Sequence, residues 1–318
     1  MKLIPNFKGR DFFPHDLSLP FMRFKAPALA LSIIAMLLSL VLVATKGLNY
    51  GVDFKGGSMI ELQSKSGPAD ISKLRSDLSG TVAGTVQIQQ FGAPENVLIR
   101  IEEQPGGEKA QQAALKKVID TVGSGYAQRR VEVVGPAVSS ELRQTGMIAV
   151  AAGILAIVLY VWFRFEWQFA VGAVVALTHD VLVVIGIFSL FQFEFDLSTV
   201  AALLTILGYS VNDTVVVSDR IRENLRKYKK MELNELLNLS LNETLSRTIL
   251  TSMAAIVVLF MLYTFGGEVI RNFNFAMLLG VIIGTYSSIF IAAPLLAYLG
   301  VKRDWSEAQA KGNAPARA

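Results

Sequence analysis

Apolar residues gather in six long runs along the chain, at residues 26–45, 146–163, 169–190, 198–218, 248–265 and 275–299. About 20 apolar residues cross ~30 Å of hydrocarbon, so the pattern predicts six transmembrane helices. The first run is longer than the apolar core of a signal peptide and follows a basic segment, which marks it as an uncleaved span. Between the first two spans, residues 46–145 change character and are long enough to fold as a domain. Ser58–Gln63 and Thr85–Gln89 alternate apolar and polar positions, as half-buried strands do. Val97–Glu102 and Arg129–Val134 are short and rich in β-branched residues. Helical spacing governs Ala69–Leu78 (Ile71, Leu74, Leu78) and Glu108–Val122 (Ala114, Leu115, Val118, Ile119, Val122). A turn at Gly92-Ala93-Pro94 divides the second strand from the third. The order β-α-β-β-α-β is that of a ferredoxin-like α+β domain. The fold class expected is therefore a membrane α-helical bundle of six transmembrane helices with this domain between helices 1 and 2.

Charge placement orients the bundle. The segment 1–25 carries Lys2, Lys8, Arg10, Arg23 and Lys25. Residues 219–247, read as a loop with an amphipathic helix over 231–247, carry Arg220, Arg222, Arg226, Lys227, Lys229, Lys230 and Arg247. The tail, 300–318, carries Lys302, Arg303, Lys311 and Arg317, and its last residues read as disordered. The short loops on the other side hold Glu194, Asp196 and Glu268 with Arg271 alone. Excess Lys and Arg mark the cytoplasmic side, so both termini are expected there and the domain is expected on the far side of the membrane. The basic loop is read as this orientation signal with an affinity for anionic lipid, not as a nucleic-acid site.

Composition agrees: 52% of the 318 residues are hydrophobic, and the mean hydropathy is +0.46. The chain has no cysteine and two histidines, His15 and His179, which excludes disulfides, thiolate metal sites and multi-histidine metal sites. It has no GxxxxGK loop, no HExxH and no evident nucleophile–base constellation. An enzyme and a bound cofactor are therefore not expected, and any work done must draw on an outside source.

The candidate chemistry lies inside the spans. Thr205, Gly208, Tyr209, Asn212 and Asp213 recur at i, i+3, i+4, i+7 and i+8, one face of the fourth helix. Leu203, Ile206, Leu207, Val211 and Val215 form the other face. Asp213 is thus expected to face a neighbour or a wet cavity. In the fifth span Thr244, Arg247, Thr248, Thr251, Ser252 and Ala255 repeat the spacing, at a depth where Arg247 could meet Asp213. In the third, Gly172, Ala176, His179, Asp180 and Val183 form another stripe. In the sixth, Gly280 and Gly284 with Ser287 and Ser288 read as close packing. A charge in mid-membrane costs about 2.5–3.5 kcal/mol on insertion scales and marks a functional candidate. A carboxylate whose proton affinity depends on the nearness of an arginine suits a proton-coupled device. The competing reading for Asp213 and Arg247 is a static buried pair, and for Asp180 a packed partner of Thr178 or a neighbouring span. The stretch 47–62, GLNYGVDFKGGSMIEL, reads as a glycine-bracketed turn feeding a strand.

Several of these segments, taken together, resemble the SecD/SecF family of bacterial protein-export membrane proteins, of the resistance-nodulation-division superfamily. They are GVDFKGG at 51–57, VVGPAVSSEL at 133–142, THD at 178–180, GYSVNDTVVVSDRIREN at 208–224 and LSRTILTS at 245–252. The resemblance implies a subunit that pairs with SecD into a pseudosymmetric twelve-span unit in the bacterial inner membrane, which makes the far side, and the domain at 46–145, periplasmic. It implies association with the SecYEG channel, YajC and YidC, and use of the protonmotive force late in export, after the ATP-driven step of SecA. The partners implied are thus these proteins, a translocating polypeptide and lipid. By motif, Asp213 and Arg247 correspond to the family's proton-passage residues; Asn212, Thr248 and Asp180 complete the candidate set. Two alternatives stand beside it. One is a non-transporting scaffold of the translocon. The other is a small-molecule or lipid exporter of the same superfamily, against which the single modest domain argues.

Overall fold

The computed structural model describes residues 18–84, 86–267 and 270–301. Expectations for residues 1–17, Thr85, Glu268 and the tail beyond Val301 lie outside them. Six helical segments among the described residues are long and apolar enough to cross a membrane. They are α1 (Lys25–Lys46, after a 3₁₀ turn at Phe21–Phe24), α5 (Pro136–Arg164), α6 (Trp167–Phe191), α7 (Leu197–Lys227), α8 (Leu233–Phe265) and a last segment in three parts. That segment runs as α9 (Arg271–Ser287), a π turn (Ser288–Ala292) and α10 (Ala293–Leu299). The starts are written in the sequence. Pro136 opens α5 at a position where its missing N–H costs nothing. The Asp196 carboxylate caps α7 by accepting from Thr199 N, and Glu232 caps α8 by accepting from Glu235 N.

Three helices form the centre. About half of the apolar windows of α6, α7 and α9–α10 is buried (50%, 50% and 56%), against 11%, 11% and 17% for α1, α5 and α8. The outer helices turn Leu37, Leu155 and Phe260 outward, as a lipid-facing surface requires. Small residues set the closest approaches: a Cβ on Gly280 of α9 would lie 2.3 Å from Ile206 of α7.

One element departs from expectation. The helix expected over 231–247 is present from Leu233 but is continuous with the fifth span, and only residues 228–232 turn between it and α7. Helix α7 runs on to Lys227 and α8 begins at Leu233, so the two make a helical hairpin. No glycine or proline interrupts 233–265. The apolar stripe Leu236, Leu237, Leu241 and Leu245 has Val217, Ile221 and Leu225 of α7 to bury against. Pairing with α7 wins over lying flat on the membrane surface. The residues before α1 strap onto this hairpin: Leu19 N donates to Asn242 Oδ1 (2.8 Å) and Met22 N to Asn238 Oδ1 (2.9 Å).

Between α1 and α5 the chain forms β1 (Asn49–Tyr50), the single turn α2 (Val52–Lys55), β2 (Gly57–Ser64), α3 (Ile71–Leu78), β3 (Val86–Gln90), β4 (Asn96–Ile101), α4 (Gly107–Val122) and β5 (Tyr126–Val134). From β2 onward the element order is β-α-β-β-α-β, with strand edges within a few residues of those expected. The sheet is antiparallel in the order β3-β4-β2-β5, with Met59 opposite Arg100 and Ile60 opposite Ile99. Leu74, Leu78, Ala114 and Val118 of the two helices cover Ile60, Leu62, Val97, Ile99 and Ile101. Gly57, at φ +112°, brings β2 so near Ile101 O that a Cβ would lie 2.3 Å from it.

The glycine-bracketed stretch does more than turn. Strand β1 pairs in parallel with β6 (Glu194–Phe195), the tip between α6 and α7. Asp53 Oδ2 accepts from Leu197 N (3.0 Å), at the first residue of α7. Phe54 packs with Phe195, and Phe195 with Phe188. Arg100 of β4 forms an ion pair with Glu194. The sheet domain is thereby clamped to the helix that carries Asp213.

Candidate functional site

Asp213 and Asp180 are both buried, at 8% and 0% exposure, and both are satisfied by hydroxyls from neighbouring helices. Asp213 Oδ1 accepts from Thr248 Oγ1 of α8 (2.7 Å), and Oδ2 accepts from Ser288 Oγ at the start of the π turn (2.5 Å). Asp180, on α6, accepts at Oδ2 from Ser210 Oγ of α7 (2.6 Å) and Ser287 Oγ of α9 (2.8 Å). His179 Nδ1 lies 3.0 Å from Asp180 Oδ1, and its ring lies tilted against that of Tyr286, with centroids 6.0 Å apart. An ionised carboxylate only accepts hydrogen bonds, and in this interior serine and threonine supply the donors. Thr178 does not serve Asp180; its hydroxyl bonds Val174 O on its own helix (2.8 Å).

The expected meeting of Asp213 with Arg247 does not occur. Arg247 is exposed, and no ion pair joins it to Asp213. The reason is rotational. Helix α8 turns Thr244, Thr248 and Ser252 inward at four-residue spacing, which leaves Arg247 a third of a turn away. Its guanidinium acts on Asp213 through its field alone.

The fourth-span stripe divides at its edge. Asp213 points into the bundle, whereas Thr205, Gly208 and Asn212 are exposed. The face of Leu203, Ile206 and Leu207 is the buried one, packed in the central cluster. Helix α7 is central, so its apolar side meets α9 and its polar side is left open by this chain. Thr205 and Asn212 of α7 and Arg247 of α8 are polar or charged groups that this chain leaves exposed.

Sequence reasoning missed Ser210, Ser287 and Ser288. The two serines after Gly280 and Gly284 read as packing residues, and the glycines do pack: a Cβ on Gly284 would lie 3.2 Å from Ser210 and 3.5 Å from Asp180 Oδ2. What the spacing could not tell is that hydroxyls beside such a close approach land on carboxylates of two other helices.

Outside the spans, Glu194 is a perturbed group that sits in the contact between the sheet domain and the bundle. Burial raises its carboxyl above the ordinary range, and the neighbouring Arg100 guanidinium works against that shift.

A six-span membrane bundle with one inserted sheet domain and carboxylates held between helices is the class this architecture defines. The family model "Protein export membrane protein SecD/SecF, C-terminal" matches residues 114–302, and the "SecD/SecF GG Motif" matches residues 41–67. The protein translocase subunit SecF of Cereibacter sphaeroides is 47% identical over 313 residues, 95% of this chain and 93% of that one. The SecDF subunit of Brucella abortus is 44% identical over 89% of this chain, which spans 38% of its length. The crystal structure of SecDF from Thermus thermophilus, titled a translocon-associated membrane protein, superposes with a TM-score of 0.80 at 35% identity. That match covers 90% of this chain and 39% of the SecDF chain. This chain belongs to the SecD/SecF family. It is a multi-pass membrane protein.

Proposed function

We propose that this chain is the SecF-type half of a Sec translocase accessory complex, which uses the protonmotive force to promote protein export. The observation that carries the reading is Asp213: a buried carboxylate on the central helix, beside a polar face that this chain leaves uncovered. The single-chain SecDF relatives are more than twice as long as the region matched here, which leaves room for a SecD half. That half would cover Thr205, Asn212 and Arg247. Its arrival or movement would alter the field and water around Asp213, and so its affinity for a proton. Arg247, Asn212, Thr248 and Asp180 belong to the same machinery, Arg247 by its field and Thr248 by its hydrogen bond.

The Lys and Arg excess of the terminal side supports a reading with both termini in the cytoplasm and the sheet domain on the opposite side; with the family, it gives the bacterial inner membrane as the location of this reading. SecYEG, YajC and YidC are the further partners of this reading, with SecA acting earlier on the same polypeptide. The test is export of a secreted precursor in cells carrying Asp213→Asn, with abundance and co-purification of the SecD-type partner followed alongside. Slowed export from an intact complex is expected.

The completeness of the hydrogen bonding favours a second reading, a static scaffold, in which both carboxylates merely tie helices. Normal export by Asp213→Asn would select it.

A further inference from the structure

We infer that Ser287 and Ser288 are positioning residues that tie Asp180 and Asp213 to one point of the last span, where α9 passes into the π turn, so that the hydrogen bonding of the two carboxylates changes together. The inference rests on the proton-coupling reading above. It assigns work to a segment that sequence reasoning treated as packing.

Consecutive residues on a helix point about 100° apart. Ser287 and Ser288 therefore address different neighbours from one place: Ser287 donates to Asp180 on α6, and Ser288 to Asp213 on α7. Each hydroxyl also has a second acceptor on its own helix. Ser287 Oγ lies 3.1 Å from Gly284 O, and Ser288 Oγ lies 3.0 Å from Thr285 O. A serine hydroxyl has one proton to donate. Against a charged carboxylate it goes there, since charge-assisted bonds are the stronger ones. When the carboxylate takes up a proton, that donor is no longer needed, and the hydroxyl retreats to its backbone acceptor. Both serines thus have two acceptors within reach, one on a neighbouring helix and one on their own.

The backbone under them is irregular. The helix widens at Ser288–Ala292, and Pro294 follows. Proline has no N–H for the carbonyl four residues earlier, that of Phe290, and its ring crowds it. The wide turn absorbs that conflict. Single π turns of this kind gather at functional sites. On the far side, Gly172 of α6 lets Ala292 O approach so closely that a Cβ would lie 3.0 Å from it. The turn is thus packed against the helix that bears Asp180 while holding the one that bears Asp213.

The charged and titratable groups around the pair are few. Helix α6 offers His179, α8 offers Arg247 by its field, α9 offers Tyr286 against His179, and α7 itself carries Tyr209. Helix α5 contributes apolar Val150 and Ile157, and α1 contributes the Ser32 hydroxyl, 3.0 Å from Tyr286 Oη.

The test uses the full chain with its SecD-type partner in membrane vesicles, reading proton-gradient-dependent precursor export across a pH series. Ser288→Ala is expected to move the midpoint of the profile by about 0.5–1 pH unit, since the carboxylate it faces loses a hydrogen-bond donor. Ser287→Ala is expected to move it too, and the double variant by less than the sum. Ser288→Thr, which keeps the hydroxyl, restores the wild-type midpoint and serves if the alanine variant does not accumulate. If Asp213→Asn abolishes the response but both serine variants keep the wild-type midpoint, the inference fails and the proton-coupling reading stands. A uniform loss at every pH that threonine does not restore also overturns it, as a packing role. If Asp213→Asn exports normally, the reading falls and the inference with it.

Discussion

Arg247 and Thr248 are neighbours in sequence with opposite burial, and their substitutions should separate stability from activity. Arg247 is exposed and makes no ion pair with Asp213. Arg247→Gln is expected to leave the thermal stability of the purified complex within about 0.5 kcal/mol while reducing proton-dependent export. An equal loss of both would make Arg247 structural. Thr248→Val removes a donor from a buried carboxylate and is expected to cost about 1–3 kcal/mol, seen as a lower midpoint of thermal aggregation in detergent. Thr248→Ser should recover most of that loss. At this scale the sequence was informative about residue type. Asp213, Asp180 and Thr248 stand out because a polar group inside an apolar run is costly, and all three are buried. It was silent on rotation. Helical spacing gives angles within one helix and says nothing about which angle faces the centre, so the Arg247–Asp213 contact was misplaced by one residue.

At the scale of elements, the fit between α7 and α9 rests on Gly280. A side chain there meets Ile206 at 2.3 Å. Gly280→Val is expected to cost about 1–3 kcal/mol through overpacking and to weaken the bonds of Ser287 and Ser288, since both lie on the displaced helix. Differential scanning fluorimetry together with the export assay would check it, and a variant as stable as wild type would show the helices can part freely. The six spans and the strand–helix order of the inserted domain were legible because each rests on a local period, 3.6 or 2, over many residues. The hairpin of α7 and α8 was not. Its amphipathic stripe suits a membrane surface as well as a partner helix, and the choice depends on Ile221 and Leu225, which lie elsewhere in the chain. The π turn was likewise hidden, with Pro294 as its one local sign.

For the molecule as a whole, the contact that matters most is the clamp of the sheet domain on the tip between α6 and α7. Arg100 and Glu194 are about nine-tenths and four-fifths covered there (side-chain exposures 10% and 17%). Arg100→Met leaves the Glu194 charge buried and unpaired, which costs about 3–5 kcal/mol in comparable sites. The amides of Gly51 and Leu197, which bond across the clamp, should then exchange faster with deuterium. Because burial raises the Glu194 carboxyl, the docked state holds its proton more firmly than the undocked one. Docking in Arg100→Met should therefore be strengthened as pH falls and lost as pH rises through the raised value. An exchange rate that does not depend on pH beyond the intrinsic trend would rule this out.

The same clamp sets an order of events during synthesis. Strands β2 to β5 close among themselves within residues 57–134, so the sheet can fold as soon as it leaves the ribosome–membrane machinery. Its anchor cannot form then, because Asn49 pairs with Glu194 and Tyr50 with Phe195, residues made two transmembrane helices later. The domain can therefore fold before this anchor exists, joined to α1 at one end and to α5 at the other. It is captured only when the tip between α6 and α7 emerges beside it. Stalled chains ending before residue 194 should accordingly carry a protease-resistant domain with an accessible segment at 47–56, and chains long enough to expose α7 should lose that access.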